Sequence, residues 1–515
     1  MSSIEKKGAS ASAEEPEGTS LPSIEEIDSS CRTPVWMMFT SAAKWLVFAL
    51  AVSLLATVNL HAEGGILSHC PIFTYGRLYP AFMNSLIYGF GVQAGLAACL
   101  WLLARVGKTK LIGGGVATVG AIFWNIAVSF GVLGILGGWT TGFELLEMPF
   151  MVSLALLASY VAIAVPALFT FKNRQPGEMY PTQYFILAAL FWFPWIYTSS
   201  VSLLNCVPVH GVMQAVVAWW YGANLFLIFF GFIGLGAIFY LIPQRSGRGL
   251  YSSNYAVTAF WLLLIFAPLT GIPQGAPVPA WIPALSSGAS IVLFVPIILI
   301  IMNLHLTCKG NLGQLRMDRT LKAAYVSGHL FVLSVGCVIV GPLLETINHV
   351  ATFFTIFIPG NQEMVQPMMD VADTTRLSLF QSGADMLLLF GFFGVAMFSV
   401  INLAVPKMFK QEWPVLKISK HQITVAIVGV VLFCAPMIVG GFLQGYRLHD
   451  PSISFAEISA FTTKFIRIRT MGELFMLISA GMLFLNLISM FWKSCGSQCL
   501  PIAKGLLEQP TEEAK

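Results

Sequence analysis

Apolar residues run along this chain in long stretches, separated by short polar ones. Twelve such stretches can be counted: 35–58, 82–104, 111–137, 150–172, 183–204, 213–242, 254–272, 283–307, 323–345, 377–405, 421–445 and 471–492. A bilayer hydrocarbon core about 30 Å thick needs roughly 20 apolar residues per helical crossing. Backbone polar groups in lipid must be paired within the segment, so each stretch is expected to be a helix. The alternation of an outer-membrane barrel is absent. The two longest stretches, 213–242 and 377–405, predict tilt or protrusion beyond the bilayer. The fold class implied is all-α and polytopic, with twelve transmembrane helices.

Composition agrees. Of 515 residues, 57% are apolar and 10% charged, against about 25% charged in soluble domains. Mean hydropathy is +0.78. Orientation follows from Lys and Arg, which concentrate on the cytoplasmic side. The loops after even-numbered stretches carry fifteen: Arg105, Lys108, Lys110, Lys172, Arg174, Arg245, Arg248, Lys309, Arg316, Arg319, Lys322, Lys407, Lys410, Lys417 and Lys420. The opposite loops carry six: Arg77, Arg376, Arg447, Lys464, Arg467 and Arg469. Both termini are therefore expected in the cytoplasm, and the membrane is expected to be the cell inner membrane. The net charge of +4 then reflects topology, with lipid as the medium and no nucleic acid as partner. Residues 1–34 form an acidic, Ser-containing tail expected to be disordered, residues 35–492 one membrane domain, and residues 493–515 a cytoplasmic C-terminal tail.

Nine cysteines are scattered, with no C-x-x-C-H site for a c-type haem. Cys495 and Cys499 lie past the last stretch on the reducing side, without a nearby His, and read as ordinary thiols or, less simply, as a metal or redox pair.

Several local patterns, in order, resemble subunit I of the cbb-type cytochrome c oxidases, haem–copper enzymes close to nitric oxide reductases. Arg77-Leu78-Tyr79-Pro80 is similar to the family's R-L-R-P. The segment from Trp139 to Pro149 contains Thr141-Gly142-Phe143-Glu144 and Glu147, similar to T-G-x-E-x-x-E-x-P. Trp219-Trp220-Tyr221-Gly222-Ala223-Asn224 resembles W-W-Y-G-H-N. Tyr240 to Gln244, Tyr251-Ser252, Gly341-Pro342, Ser382-Gly383-Ala384 and Gly441 to Gly445 complete the series. The resemblance covers about residues 35–492 and implies the haem–copper oxidase subunit I fold.

In that family six histidines carry the chemistry. One in helix 2 and one in helix 10 ligate the low-spin haem, and another in helix 10 ligates the high-spin haem. One in helix 6 and two in helix 7 hold copper. This chain departs at each place. Phe82 stands in the helix-2 ligand position, Ala223 in the helix-6 position, and Leu379 and Gln381 in the two helix-10 positions. Residues 262–280 contain neither His nor Tyr, and a family glutamate before Gly341 is Val340. Of the eight histidines, His61, His69, His210, His349 and His449 fall outside or at the outer ends of stretches, and His305 and His421 near inner ends. Only His329 is well inside one. Two haem irons and a three-imidazole copper site need several. Cys99, Cys337 and Met83 are unpaired in sequence and read as core. No cofactor is expected, with haem and copper reserved for a catalytic alternative.

A few polar residues remain. Asp385 lies inside the tenth stretch, where a carboxylate is expensive and suggests a site or a pair. It reads as an ion-paired or protonated, hydrogen-bonded acid, as a proton- or ion-handling group, or as a residue exposed at a helix end. Lys44 is a second intramembrane charge, of a kind that can snorkel. Glu144 and Glu147 share one face if their segment is helical, and are weak calcium candidates because calcium wants 6–8 oxygens. Arg467 and Arg469 resemble a family region of basic contacts, or form a solvated cluster. His329 reads as a hydrogen-bonded interior residue.

Three functions fit. The first is a degenerate, non-catalytic relative of oxidase subunit I, a structural, assembly or regulatory partner among the subunits of a respiratory membrane complex. The second is a working terminal oxidase, reducing oxygen with electrons from cytochrome c while translocating protons. The third is a repurposed proton, ion or small-molecule pathway with Asp385 as its polar element.

Overall fold

Among the described residues, twelve helices fall one on each of the apolar stretches. In the computed structural model they are α1 (Ile24–His61), α2 (Tyr75–Gly107), α3 (Gly114–Gly137), α4 (Phe150–Lys172), α5 (Pro181–Cys206), α6 (Val212–Ser246), α7 (Ser253–Leu269), α8 (Trp281–Cys308), α9 (Arg319–Phe357), α10 (Leu379–Phe409), α11 (Leu416–Leu448) and α12 (Phe455–Leu507). The structure describes residues 21–61, 70–273, 276–310, 318–357, 375 and 378–507. The first twenty residues of the expected tail, the last eight of the C-terminal tail, and His69, Arg316 and Arg376 lie outside these. So do the side chains of His349, Cys495 and Cys499.

Eleven of the helices are long and apolar enough to cross a membrane, and α7 is a shorter apolar helix in the expected seventh place. The chain is a multi-pass membrane protein. Local chemistry sets many helix ends. Ser252 and Ser378 cap α7 and α10 by accepting the backbone N–H of Tyr255 and Phe380. Lys108, Gly138, Gly247 and Lys410 close α2, α3, α6 and α10 in the left-handed conformation.

Several boundaries differ from the hydropathy reading. Helix α2 starts at Tyr75, α9 runs on to Phe357, and α12 continues to Leu507 through most of the expected C-terminal tail. Three further differences have a local cause. Helix α1 starts at Ile24 rather than near 35, because its polar first turns have protein around them: the Asp28 carboxylate, 3% exposed, accepts from Trp101 Nε1 at 3.0 Å and faces Arg105 Nε at 3.5 Å. Helix α12 starts at Phe455 rather than near 471, where Ser454 Oγ caps it by accepting the backbone N–H of Glu457 at 3.3 Å. Helix α7 stops at Leu269 rather than 272, where Pro268 and the positive φ of Gly271, +101°, end it.

Helices α2, α6 and α10 form the centre. The most apolar part of α2 is wholly buried and those of α6 and α10 are 94% buried, against 39–56% for the other long spans. Each central helix carries a widened, π-helical stretch in its middle: Ser85–Val92, Leu225–Phe230 and Leu387–Gly394. Such stretches interrupt the α-helical hydrogen-bond ladder and recur at functional positions. The three meet through phenyl rings, with Phe230 to Phe393 at 4.9 Å, Phe90 to Phe393 at 6.3 Å and Phe331 of α9 to Phe392 at 4.7 Å. Glycine makes the fit possible: a Cβ on Gly91 would stand 2.8 Å from the Phe230 ring, and one on Gly234 would run into Phe392.

Candidate functional site

The positions that carry ligands in the resembled family can be followed one at a time. Phe82 lies early in α2, in the turns before its π-helical stretch, and is 1% exposed. Its ring centroid is 6.1 Å from that of Tyr79. Ala223 lies in the last α-helical turn of α6 before the widened stretch. The backbone of Gly271, just past α7, seats against it so closely that a Cβ on Gly271 would be 2.6 Å from the Ala223 methyl. Neighbouring Asn224 ties the region together, accepting from Trp192 Nε1 at 2.9 Å and donating to the Trp220 and Pro268 carbonyls at 2.8 and 3.4 Å.

Leu379 opens α10, and its N–H donates to Gln444 Oε1 of α11 at 3.0 Å. Gly441 of α11 has its backbone directly against that of Phe380, so the glycine in the Gly441–Gly445 motif is required by close helix approach. Gln381 is exposed, and its Nε2 donates to Asp385 Oδ1 at 2.9 Å.

Between α2 and α10 lies a small cavity of about 30 Å³, lined by Phe82, Glu144, Ser382, Asp385, Arg469 and Phe433 among others. An apolar cavity of roughly 150 Å³ takes one benzene, whereas a single water needs about 10–15 Å³. The space here is that of about two waters, not of a macrocycle. Phenyl, isobutyl and methyl groups at Phe82, Leu379 and Ala223 offer no donor to a metal, and the Gln381 amide is engaged with Asp385.

Asp385 is thus brought to one cavity with Glu144, Ser382 and Arg469. Arg469 is a correction to the reading of a solvated cluster. Arg467 is exposed, but Arg469 is 3% exposed, pairs with Glu473 through Nη2 and Nε, both at 3.0 Å, and lies 4.7 Å above the Phe433 ring. Glu473 Oε1 also accepts from Ser53 and Thr57 of α1 at 2.8 and 2.9 Å. Glu473 is the functional-looking residue that hydropathy passes over. Its signal is the four-residue spacing from Arg469, which puts the two on one helix face.

Glu144 and Glu147 do not share a helix face. The segment between α3 and α4 is an irregular plug, and Leu145 takes a left-handed conformation with φ +64°, which rotates the two acids apart. Glu144 lines the cavity. Glu147 is 9% exposed and accepts from Asn84 Nδ2 at 2.6 Å; burial pushes its carboxyl up to about 7, the Asn84 hydrogen bond opposing. Among the described residues no group of three or more His, Cys, Asp or Glu is placed to hold a metal.

Beside the plug, Tyr88 of α2 donates to the Leu145 carbonyl at 2.7 Å, and the Tyr88 and Tyr221 hydroxyls are 2.7 Å apart. The carbonyl can only accept, so Tyr221 donates to Tyr88. His329 is a second correction. It hydrogen-bonds to the Tyr325 carbonyl at 2.9 Å, but it lies exposed on the outer surface of α9 rather than in the interior. Cys99 is buried and Cys337 half-buried as free thiols, and Met83 lines the cavity.

Residues 33–369 match the family model described as cytochrome c and quinol oxidase polypeptide I. The chain is similar to a cytochrome c oxidase subunit 1 homolog of Agrobacterium tumefaciens, 24% identical over 472 residues, covering 86% of this chain and 80% of the relative. It is similar to the bacteroid cytochrome c oxidase subunit 1 homolog of Bradyrhizobium diazoefficiens, 26% identical, with 87% and 79% covered. It is also similar to a cbb3-type cytochrome c oxidase subunit of Stutzerimonas stutzeri, 25% identical, with 73% and 76% covered. A cryo-EM structure of a haem–copper terminal oxidase dimer superposes with a TM-score of 0.65 at 14% identity, over 90% of this chain and 84% of that one, a likeness of fold.

Proposed function

Because the chain belongs to the cytochrome c and quinol oxidase polypeptide I family, we propose that it works as a non-catalytic relative of the oxidase subunit, a structural, assembly or regulatory component among the subunits of a respiratory membrane complex. One observation carries this reading. At four positions where the family places metal-ligating histidines, this chain has Phe82, Ala223, Leu379 and Gln381. The backbone of Gly271 packs against Ala223, that of Gly441 against Leu379 and Phe380, and the cavity beside Phe82 is only about 30 Å³. Haem iron needs an axial imidazole, thiolate, thioether or phenolate. Those residues do not fit haem or copper, and no redox step is assigned to the chain. The Lys and Arg distribution supports an inner-membrane placement with both termini in the cytoplasm.

The purified protein is expected to show no haem absorption bands and no stoichiometric iron or copper. Stoichiometric iron with a haem spectrum, or oxygen consumption by the isolated subunit, overturns the reading in favour of a terminal oxidase, the activity named in the relatives.

A second reading, proton or ion handling, is favoured by the cavity that joins Asp385 to Glu144. Inward of it the phenyl rings of Phe90, Phe230 and Phe393 close the space between the central helices, which weighs against a continuous path. Proton flux into reconstituted vesicles that falls in Asp385→Asn would support this reading, and flux unchanged by that substitution would remove it.

A further inference from the structure

Lys44 is the charge within the apolar stretch of α1, and the family reading leaves it unused. Its depth can be fixed from its neighbour. Trp45 donates from Nε1 to Asn125 Oδ1 at 2.9 Å, and Asn125 stands at the middle of α3, about 17 Å from either end at 1.5 Å per residue. Trp45 also packs on Gly89, where a Cβ would be 2.7 Å from the indole, and Gly89 is close to the middle of α2. Lys44 therefore sits near the bilayer midplane.

It also points outward. Lys44 is exposed, while Ser53 and Thr57, half a helix turn around, face α12 through Glu473. Its Nζ lies 5.1 Å from the Trp45 ring, a cation–π contact that holds the ammonium at this depth. From there its four methylenes are too short to reach the headgroups, so snorkelling does not relieve it. Among the described residues no carboxylate pairs with it. Phe48 and Leu55, 36% and 41% exposed, continue the same ridge of α1 four and eleven residues on, the spacing of one helix face.

We propose that this ridge docks a transmembrane helix of a different subunit, one that carries a carboxylate near its middle to pair with Lys44. Charged side chains in transmembrane segments are paired or face protein, and the opposite charge is the complement this cation calls for. A second copy of the chain fits poorly, because a two-fold contact would set Lys44 against Lys44. This contact rests on the reading of the chain as one subunit of a complex, and the two fail separately: iron content bears on that reading, cross-linking on this contact.

The test places a photo-reactive phenylalanine analogue at position 48 of the full chain in native membranes, with the cross-linked peptides identified by mass spectrometry. The expected product is a transmembrane peptide of another protein with Asp or Glu near its centre. Its yield should fall about tenfold or more in Lys44→Met and persist in Lys44→Arg, with both variants matching the parent in membrane content and melting temperature. Cross-links to lipid only, to a second copy, or to a helix without a mid-span carboxylate overturn the proposal, as does a yield unchanged in Lys44→Met. If Lys44→Met fails to accumulate, the Lys44→Arg cross-link alone decides, since a partner helix without a mid-span acid is then still disqualifying.

Discussion

Gln381 Nε2 donates to Asp385 Oδ1 at 2.9 Å, one turn along α10, with Asp385 turned to the cavity it shares with Phe82 of α2. The amide occupies a family ligand position, and here its work is to hold an intramembrane carboxyl group. Gln381→His restores the family residue and keeps a possible donor to Asp385. Because Phe82 and Leu379 still lack donor atoms, the variant is expected to fold like the parent and to gain no haem absorption band. A Soret band in the purified variant grown with excess haem would contradict this.

Ala223 has the backbone of Gly271 against its methyl group. Ala223→His therefore forces overpacking rather than rebuilding a copper ligand, with an expected loss of about 1–3 kcal/mol. Ala223→Gly should be better tolerated. Thermal melting of the two variants in the same detergent checks the order.

Arg469 and Glu473 are 3% and 0% exposed. Arg469→Met leaves the carboxylate buried without its cation, at a cost of about 3–5 kcal/mol. The double change Arg469→Met with Glu473→Met should recover much of that loss, since apolar replacement of a buried pair is often neutral or stabilising. A double-mutant cycle on melting temperatures measures it.

Tyr88 and Tyr221 are unequal partners. Tyr221→Phe removes one hydrogen bond, worth about 0.5–1.5 kcal/mol. Tyr88→Phe leaves both the Leu145 carbonyl and the Tyr221 hydroxyl without it, and buried unsatisfied groups cost about 1–3 kcal/mol each. Tyr88→Phe should therefore lower the melting temperature more, and the reverse order would refute the assigned donor direction.

Glu147 is held up to about 7 by burial, against an ordinary 4.5. Between these values the folded protein binds more protons than the unfolded chain, so this group makes stability fall as pH rises from about 4.5 through 7, and costs nothing extra below the lower value. Glu147→Gln keeps an acceptor for Asn84 and should flatten that slope. The difference in melting temperature between parent and variant, followed from pH 4 to 8, shows it.

Most of the architecture was legible in the residues alone. Partition into lipid depends on runs of neighbouring residues, so hydropathy places α4 at 150–172 as the structure does, and the loss of donor atoms at Phe82, Ala223 and Leu379 is a fact of chemistry before any folding. What the chain could not disclose was how distant segments compensate one another. Asp28 with Trp101 and Arg105 extends α1, and Glu473 with Ser53 and Thr57 turns Arg469 from a surface cation into a buried one. The left-handed Leu145 separates Glu144 from Glu147, a backbone state that residue spacing does not encode. Rings from α2, α6, α9 and α10 close the centre of the bundle, and Gly271 closes the pocket at Ala223. Such contacts join residues far apart in the chain, and only the tertiary structure determines which charges are paired, which cavity survives, and that Lys44 faces outward at the middle of the membrane.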